Sequence, residues 1–114
     1  MNVYHYETRG GKDLILEYID DLPRNEKAEG LLIIRKLEED GLEALLVLNT
    51  RQLRGKLWEI KFNENRIMYV VADEENMFLL HAYRKQKGKA EKFELDTAVR
   101  RVKELEGELQ LRFI

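Results

Sequence analysis

The sequence has no cysteine. That absence removes disulfide scaffolds, thiol redox chemistry, thiolate zinc sites and cysteine nucleophiles from consideration. Histidine is nearly as scarce: His5 and His81 are the only two, too few for a histidine-rich metal site. No metal and no cofactor are expected. Pro23 is the single proline, and there is no Pro/Gly/Ser-rich linker, no repeat and no low-complexity stretch. No apolar run approaches the roughly 20 residues that cross a bilayer. The opening Met1-Asn2-Val3-Tyr4-His5-Tyr6-Glu7 lacks the basic start and apolar segment of a signal peptide. The expectation is a soluble, cytoplasmic protein with no membrane association.

What is present suffices for a packed core. Of 114 residues, 44% are hydrophobic, which predicts one domain spanning residues 1–114. The formal net charge of −2 conceals a segregation. Residues 1–50 carry 11 acids and 6 bases, residues 51–92 carry 10 bases and 6 acids, and the last 22 residues are nearly balanced. A basic middle in an acidic chain points to an anion-facing surface there, with ordinary solvated charge as the simpler alternative.

Val3 to Tyr6, rich in β-branched and aromatic types, predicts a short strand ended by Gly10-Gly11. Leu14, Ile15, Tyr18, Ile19 and Leu22 recur at helical spacing, so Lys12 to Asp21 reads as a helix that Pro23 ends. A second helix starts near Asn25 as N-cap, uses Ala28, Leu31, Leu32, Ile34 and Leu37 among its apolar positions, and stops at Asp40-Gly41. Leu42 to Leu48 predicts one or two further helical turns. The period then changes to two. Trp58, Ile60 and Phe62 alternate with Leu57, Glu59 and Lys61, which predicts a half-buried strand. Arg66 to Ala72 and Met77 to Tyr83 follow as two more strands across short polar turns, giving an antiparallel meander. Leu95, Ala98, Val99, Val102 and Leu105 mark a last helix that Gly107 can cap, and the alternating tail 108–114 can add an edge strand or a partner-binding strand. The predicted fold class is α+β, a small antiparallel sheet with N-terminal helices and a C-terminal helix packed on one face.

Four segments in order carry a family resemblance. They are Leu53-Arg54-Gly55-Lys56-Leu57-Trp58-Glu59-Ile60, then Arg66-Ile67-Met68-Tyr69, then Leu79-Leu80-His81-Ala82-Tyr83-Arg84-Lys85, then a lysine-rich loop leading to a helix. The series resembles the HigB branch of the RelE-type toxins and covers nearly the whole chain. The resemblance implies a RelE-like fold and a metal-independent endoribonuclease that cuts mRNA, often on the translating ribosome. It also implies a helix-turn-helix antitoxin as cognate partner. Within the loop, Lys85 and Lys89 match the family pattern outright.

RNA cleavage without metal uses the ribose 2′-OH as nucleophile. It needs a base for that proton, cations for the charged phosphorane and an acid for the departing 5′-oxygen. Arg66, at the head of an apolar strand and matching the family's arginine, is read as the phosphate clamp, against an ion pair with Glu59 or Glu64. Strand alternation places Met77, Leu79, His81, Tyr83 and Lys85 on one face. His81 is then a candidate acid or base, since free imidazole titrates near pH 6.5, with a hydrogen-bonded core histidine as the alternative. Lys85 completes the catalytic set of Arg66, His81 and Lys85. Tyr83 can stack a base, and Arg54, Arg84, Lys87 and Lys89 are read with it as RNA contacts. Five bases fall between Arg84 and Lys92 against one acid. Lys61 is read as pairing with Glu59, and Lys56 as a solvated loop residue. His5 and Trp58 are read as structural, Trp58 in the core. The rival reading is a non-catalytic binding module of the same fold, for nucleic acid or protein, with a decayed site. A DNA-binding regulator is disfavoured, because no helix-turn-helix with a basic recognition helix is visible.

Overall fold

The computed structural model describes residues 1–86 and 90–114. The elements run β1 (Asn2–His5), α1 (Leu14–Asp20), α2 (Arg24–Asp40), a 3₁₀ turn (Gly41–Glu43), α3 (Ala44–Val47), β2 (Asn49–Arg54), β3 (Leu57–Phe62), β4 (Asn65–Asp73), β5 (Asn76–Arg84) and α4 (Ala90–Leu109). One five-stranded sheet has the order β1-β5-β4-β3-β2. The three strands read from the alternation pair antiparallel as expected.

The α+β class is as the sequence predicts, and the arrangement differs in four respects. The sheet is mixed, because β1 runs parallel to β5, with Val3 opposite Met77 and Tyr4 opposite Phe78. It has an additional strand, β2, at the far edge beside β3. Asn49–Arg54 shows no two-residue hydrophobic period, since only Thr50 and Leu53 are even half-buried. The helices cover both faces. α1 and α2 pack with Ile60, Phe62, Ile67, Tyr69, Met77 and Leu79 on one face. Ala98, Val99, Val102 and Leu105 of α4 pack with Leu57, Met68, Val70 and Leu80 on the other. Finally, the tail adds no strand. α4 runs through Gly107, and Gln110 at φ 55° ends it. Phe113 then folds into the α4-side core.

Local chemistry explains the helix boundaries. Asp13 caps α1, its Oδ1 accepting from the backbone N–H of Ile15 and Leu16, both at 3.0 Å. α2 begins directly after Pro23 with no side-chain cap, so Asn25 lies inside the helix. Its buried stripe is Gly30, Ile33, Ile34 and Leu37, whereas Leu31 and Leu32 face outward. Gly30 sets the approach of α2: a Cβ there would meet Ile19 and Phe62 at 3.2 Å. Trp58 shares the Ile60 and Phe62 face but lies half-buried at the rim, so it does not fill the core.

The tail is fastened by polar contacts. Glu106 accepts from the backbone N–H of Phe113 at 2.7 Å and Ile114 at 3.2 Å, and these bonds hold its carboxyl below the ordinary range. The Lys56 N–H donates to the Phe113 carbonyl at 2.6 Å. Gly55 makes that close approach possible. Its φ is 56°, and a Cβ would stand 2.5 Å from the Phe113 oxygen. Gly55→Ala is therefore expected to lower stability by about 2 kcal/mol, from left-handed backbone strain and displacement of the tail. Urea unfolding measures it, and a loss below about 0.5 kcal/mol would show that the tail contact carries no weight.

Candidate functional site

Side chains opposite each other on neighbouring strands share a face, so the pairing register identifies which residues meet. Asn49 opposes Lys61, Lys61 opposes Arg66, and Arg66 opposes Tyr83. This row crosses four strands on the face that α4 covers. A second row beside it runs Arg51, Glu59, Met68 and His81. The two rows bring three cations, a carboxylate, a phenol and an imidazole onto one end of one sheet face.

The register contains a bulge. Tyr69 opposes Leu79 while Met68 opposes His81, which leaves Leu80 unpaired. The alternation that puts Met77, Leu79, His81 and Tyr83 together therefore fails between Leu79 and His81. Met77 and Leu79 belong to the α1/α2-side core and Tyr83 to the α4-side core. His81 and Tyr83 remain neighbours, with ring centroids 5.7 Å apart and planes at 12°.

Arg66 is 8% exposed. Its Nη1 donates to the carbonyls of Asn63 at 3.0 Å and Asn65 at 2.8 Å, so the guanidinium curls onto the β3–β4 turn. It pairs with neither Glu59 nor Glu64. Glu59 is fully buried. Arg51 Nη2 lies 2.8 Å from its Oε1, a contact of charge without hydrogen-bond alignment, and Tyr83 donates its hydroxyl to Oε2 at 3.3 Å. Burial and this carboxylate push the Tyr83 phenol well above its ordinary value, so it stays protonated. Lys61, expected to pair with Glu59, forms no ion pair among the described residues and lies half-buried beside Arg66.

Both nitrogens of His81 are engaged. Nδ1 lies 3.2 Å from Arg101 Nη1, and Nε2 lies 3.1 Å from Glu94 Oε2. Arginine only donates, so Nδ1 accepts and Nε2 carries the proton given to Glu94. Burial lowers the imidazole's affinity for a second proton, Arg101 and Arg100 lower it further, and Glu94 opposes them; the net shift is downward. Arg101 also donates to the Leu80 carbonyl at 2.8 Å and lies 4.2 Å over the Tyr6 ring.

The remaining sequence-predicted residues divide. The Lys85 N–H donates to the Glu64 carbonyl at 2.7 Å, which places Lys85 beside the turn that holds Arg66, and its side chain is exposed. Arg84 lies on the opposite side of the sheet. Its Nη1 is 3.2 Å from Glu26 Oε1, which also accepts from Asn65 Nδ2 at 2.7 Å. Asn65 in turn accepts from the Tyr18 hydroxyl at 2.6 Å. Arg54 is exposed at the other end of β2 from Asn49, roughly 17 Å along the strand, and does not join the row. Lys87 and Lys89 lie outside the described residues. Sequence reasoning passes over Arg51, Lys61, Glu94 and Arg101 as site residues. A register with Lys61 opposite Arg66 would have found Lys61, because two cations paired across strands repel unless an anion joins them.

A family model described as Phage derived protein Gp49-like (DUF891) matches residues 17–103, a stretch that contains both rows. No curated protein matches the chain.

His81 gives the site a measurable titration. Its folded pKa lies below the unfolded value of 6.5, so the unfolded chain takes up a proton that the folded chain resists. Stability contributed by neutral His81 is complete above that pH and falls as pH drops below it towards the lowered folded value. His81→Gln can accept from Arg101 and donate to Glu94 without titrating, and is expected to flatten this part of the profile. Thermal unfolding of both proteins across that interval measures it. An unchanged slope would assign the acid sensitivity to other groups.

Proposed function

The chain belongs to the Gp49-like family of phage-derived proteins, which is associated with RelE- and HigB-like toxins, and we propose that it is the toxin of a toxin–antitoxin pair and cuts mRNA without metal. The observation that carries this reading is the row Lys61, Arg66 and Tyr83, two cations and a phenol side by side, with Lys85 next to the same turn. On this reading residues 1–114 act as one cytoplasmic domain, the substrate is mRNA on the ribosome, and a helix-turn-helix antitoxin is the partner.

In the proposed reaction Arg66 leaves the Asn63 and Asn65 carbonyls and binds two oxygens of the scissile phosphate, the bidentate geometry that guanidinium suits. Lys61, which forms no ion pair among the described residues, stabilises the phosphorane from the adjacent strand. The 2′-OH loses its proton and attacks phosphorus, and the 5′-oxygen leaves as it gains one. On this reading Tyr83, which keeps its proton at neutral pH, gives up its bond to Glu59 and donates that proton to the departing 5′-oxygen. His81 takes the 2′-OH proton only once Arg101 releases Nδ1. Lys85 and the basic loop, Lys87 and Lys89 included, hold the flanking phosphates.

A second reading has a specific support. Arg66 is satisfied by two carbonyls and both His81 nitrogens are occupied, which suits a module that binds its target without cutting it. Induced expression of Arg66→Ala and Lys61→Ala, scored by growth and by mRNA ends, separates the two. Each is expected to cut about 100- to 1,000-fold more slowly. Lys85→Ala should weaken RNA binding and flatten its salt dependence. Folded yield and melting temperature guard against misfolding, and Lys61→Ala is the safer variant because Lys61 is only half-buried. A parent protein that binds RNA yet leaves it intact would establish the second reading.

A further inference from the structure

We propose that the outer edge of β2 and the apolar groove beside it dock an extended, acidic strand of a protein partner. The sheet ends at β2, so among the described residues the outward backbone groups of Asn49–Arg54 have no strand partner. On the α1/α2 side of this edge lies a groove of about 390 Å³ lined by Leu46, Thr50, Lys56, Trp58, Tyr69 and Val71, among others. α1 and α2 leave this end of the sheet face open. Leu46, carried by α3 and lining the groove, is 85% exposed, and the next residue, Val47, is 71% exposed. Trp58, read from the sequence as a core residue, is half-buried and lines the groove.

Charge selects the occupant. Among the described residues, Lys56 is the only charged one lining the groove. Arg51 and Arg54 stand on the other face of β2, opposite Glu59 and Leu57. Arg51 is paired with Glu59, whereas Arg54 and Lys56 are exposed and form no ion pair among the described residues. An added strand sends alternate side chains to opposite faces. Its apolar residues would enter the groove beside Leu46 and Trp58, and its acidic residues would face Arg51 and Arg54. A second copy of this chain fits poorly, since two-fold pairing of β2 with itself gathers the Arg51 and Arg54 of both copies on one edge.

The proposal rests on the toxin reading, because the probe is the antitoxin encoded beside this chain. The full-length pair is co-expressed with Leu46→Glu, with Lys56→Glu, and with Leu32→Glu as a control that places a charge on the exposed side of α2. None of these residues belongs to the row of Lys61, Arg66 and Tyr83, so toxicity of the free toxin should be unchanged. The first two variants are expected to weaken the pair about 30-fold or more, as loss of an interface anchor does, with melting temperature and toxicity retained. The wild-type pair should also protect the β2 backbone amides from hydrogen exchange. Unchanged affinity of both variants overturns the proposal while the toxin reading stands. Loss confined to Leu32→Glu overturns it in favour of α2. An isolated chain that is dimeric, and monomeric as Leu46→Glu, overturns it in favour of a second copy. A toxic parent that binds no antitoxin overturns it, and an inert parent that binds none overturns the toxin reading as well.

Discussion

Leu80 has no partner across β4, and this extra residue turns the second half of β5 over. With an unbroken ladder, His81 and Tyr83 would face α1 and α2 with Met77 and Leu79. The bulge instead sends them to the α4 side, where Tyr83 lies opposite Arg66 and the imidazole reaches Glu94 and Arg101. The carbonyl that the bulge leaves outside the ladder has a donor: Arg101 binds Leu80 O at 2.8 Å with the same Nη1 that meets His81. One α4 residue thus satisfies the irregular backbone and fixes the imidazole tautomer. Bulges re-aim side chains in this way, and here the re-aimed pair is what gives the α4 face its acid–base groups.

The second constraint is a carboxylate without water. Burying an unpaired charge is costly, and removing one partner from a buried pair costs about 3–5 kcal/mol where both partners are desolvated. Glu59 is fully buried; Arg51 is half-exposed, so the pair is worth less than that figure. It still tethers β2 to the sheet. Thr50 and Leu53 supply little apolar burial, and Arg51 adds the charge that Glu59 requires. Tyr83 supplies the other oxygen's partner, which ties the edge of the sheet to its centre.

These two constraints explain which parts of the molecule are legible in sequence. Trp58, Ile60 and Phe62 show β3 by simple alternation, and the apolar runs of β4 and β5 with short polar turns show the meander. Helical spacing shows α1, α2 and α4. β2 is not legible, because its place depends on an ion pair and a ladder and not on an apolar face. The helix stripe of α2 is read correctly at Ile34 and Leu37 and misjudged before them, since Leu31 and Leu32 are apolar but solvent-facing, while Gly30 is buried by contact with Ile19 and Phe62. Among the site residues, Arg66, Tyr83, His81 and Lys85 do gather at one end of the sheet. Arg84 and Arg54 look equivalent to them in a linear reading, and a single strand face and a strand's length separate them. Lys61 is lost because a Glu–x–Lys spacing suggests a pair, whereas the cross-strand Arg51 takes Glu59 first.

β2 thereby connects the two ends of this sheet face. Asn49 begins the row of Lys61, Arg66 and Tyr83, Arg51 holds Glu59, and Arg54 stands at the opposite end beside the fastened tail. Any carboxylate brought to this edge competes with Glu59 for Arg51. A carboxylate that wins leaves the buried Glu59 side chain without Arg51, and among the described residues the Tyr83 hydroxyl is then the group that meets it. The edge and the phenol are two contacts apart, through side chains already in place. A ligand at the edge can therefore alter the hydrogen bond that Tyr83 makes by changing which carboxylate Arg51 faces.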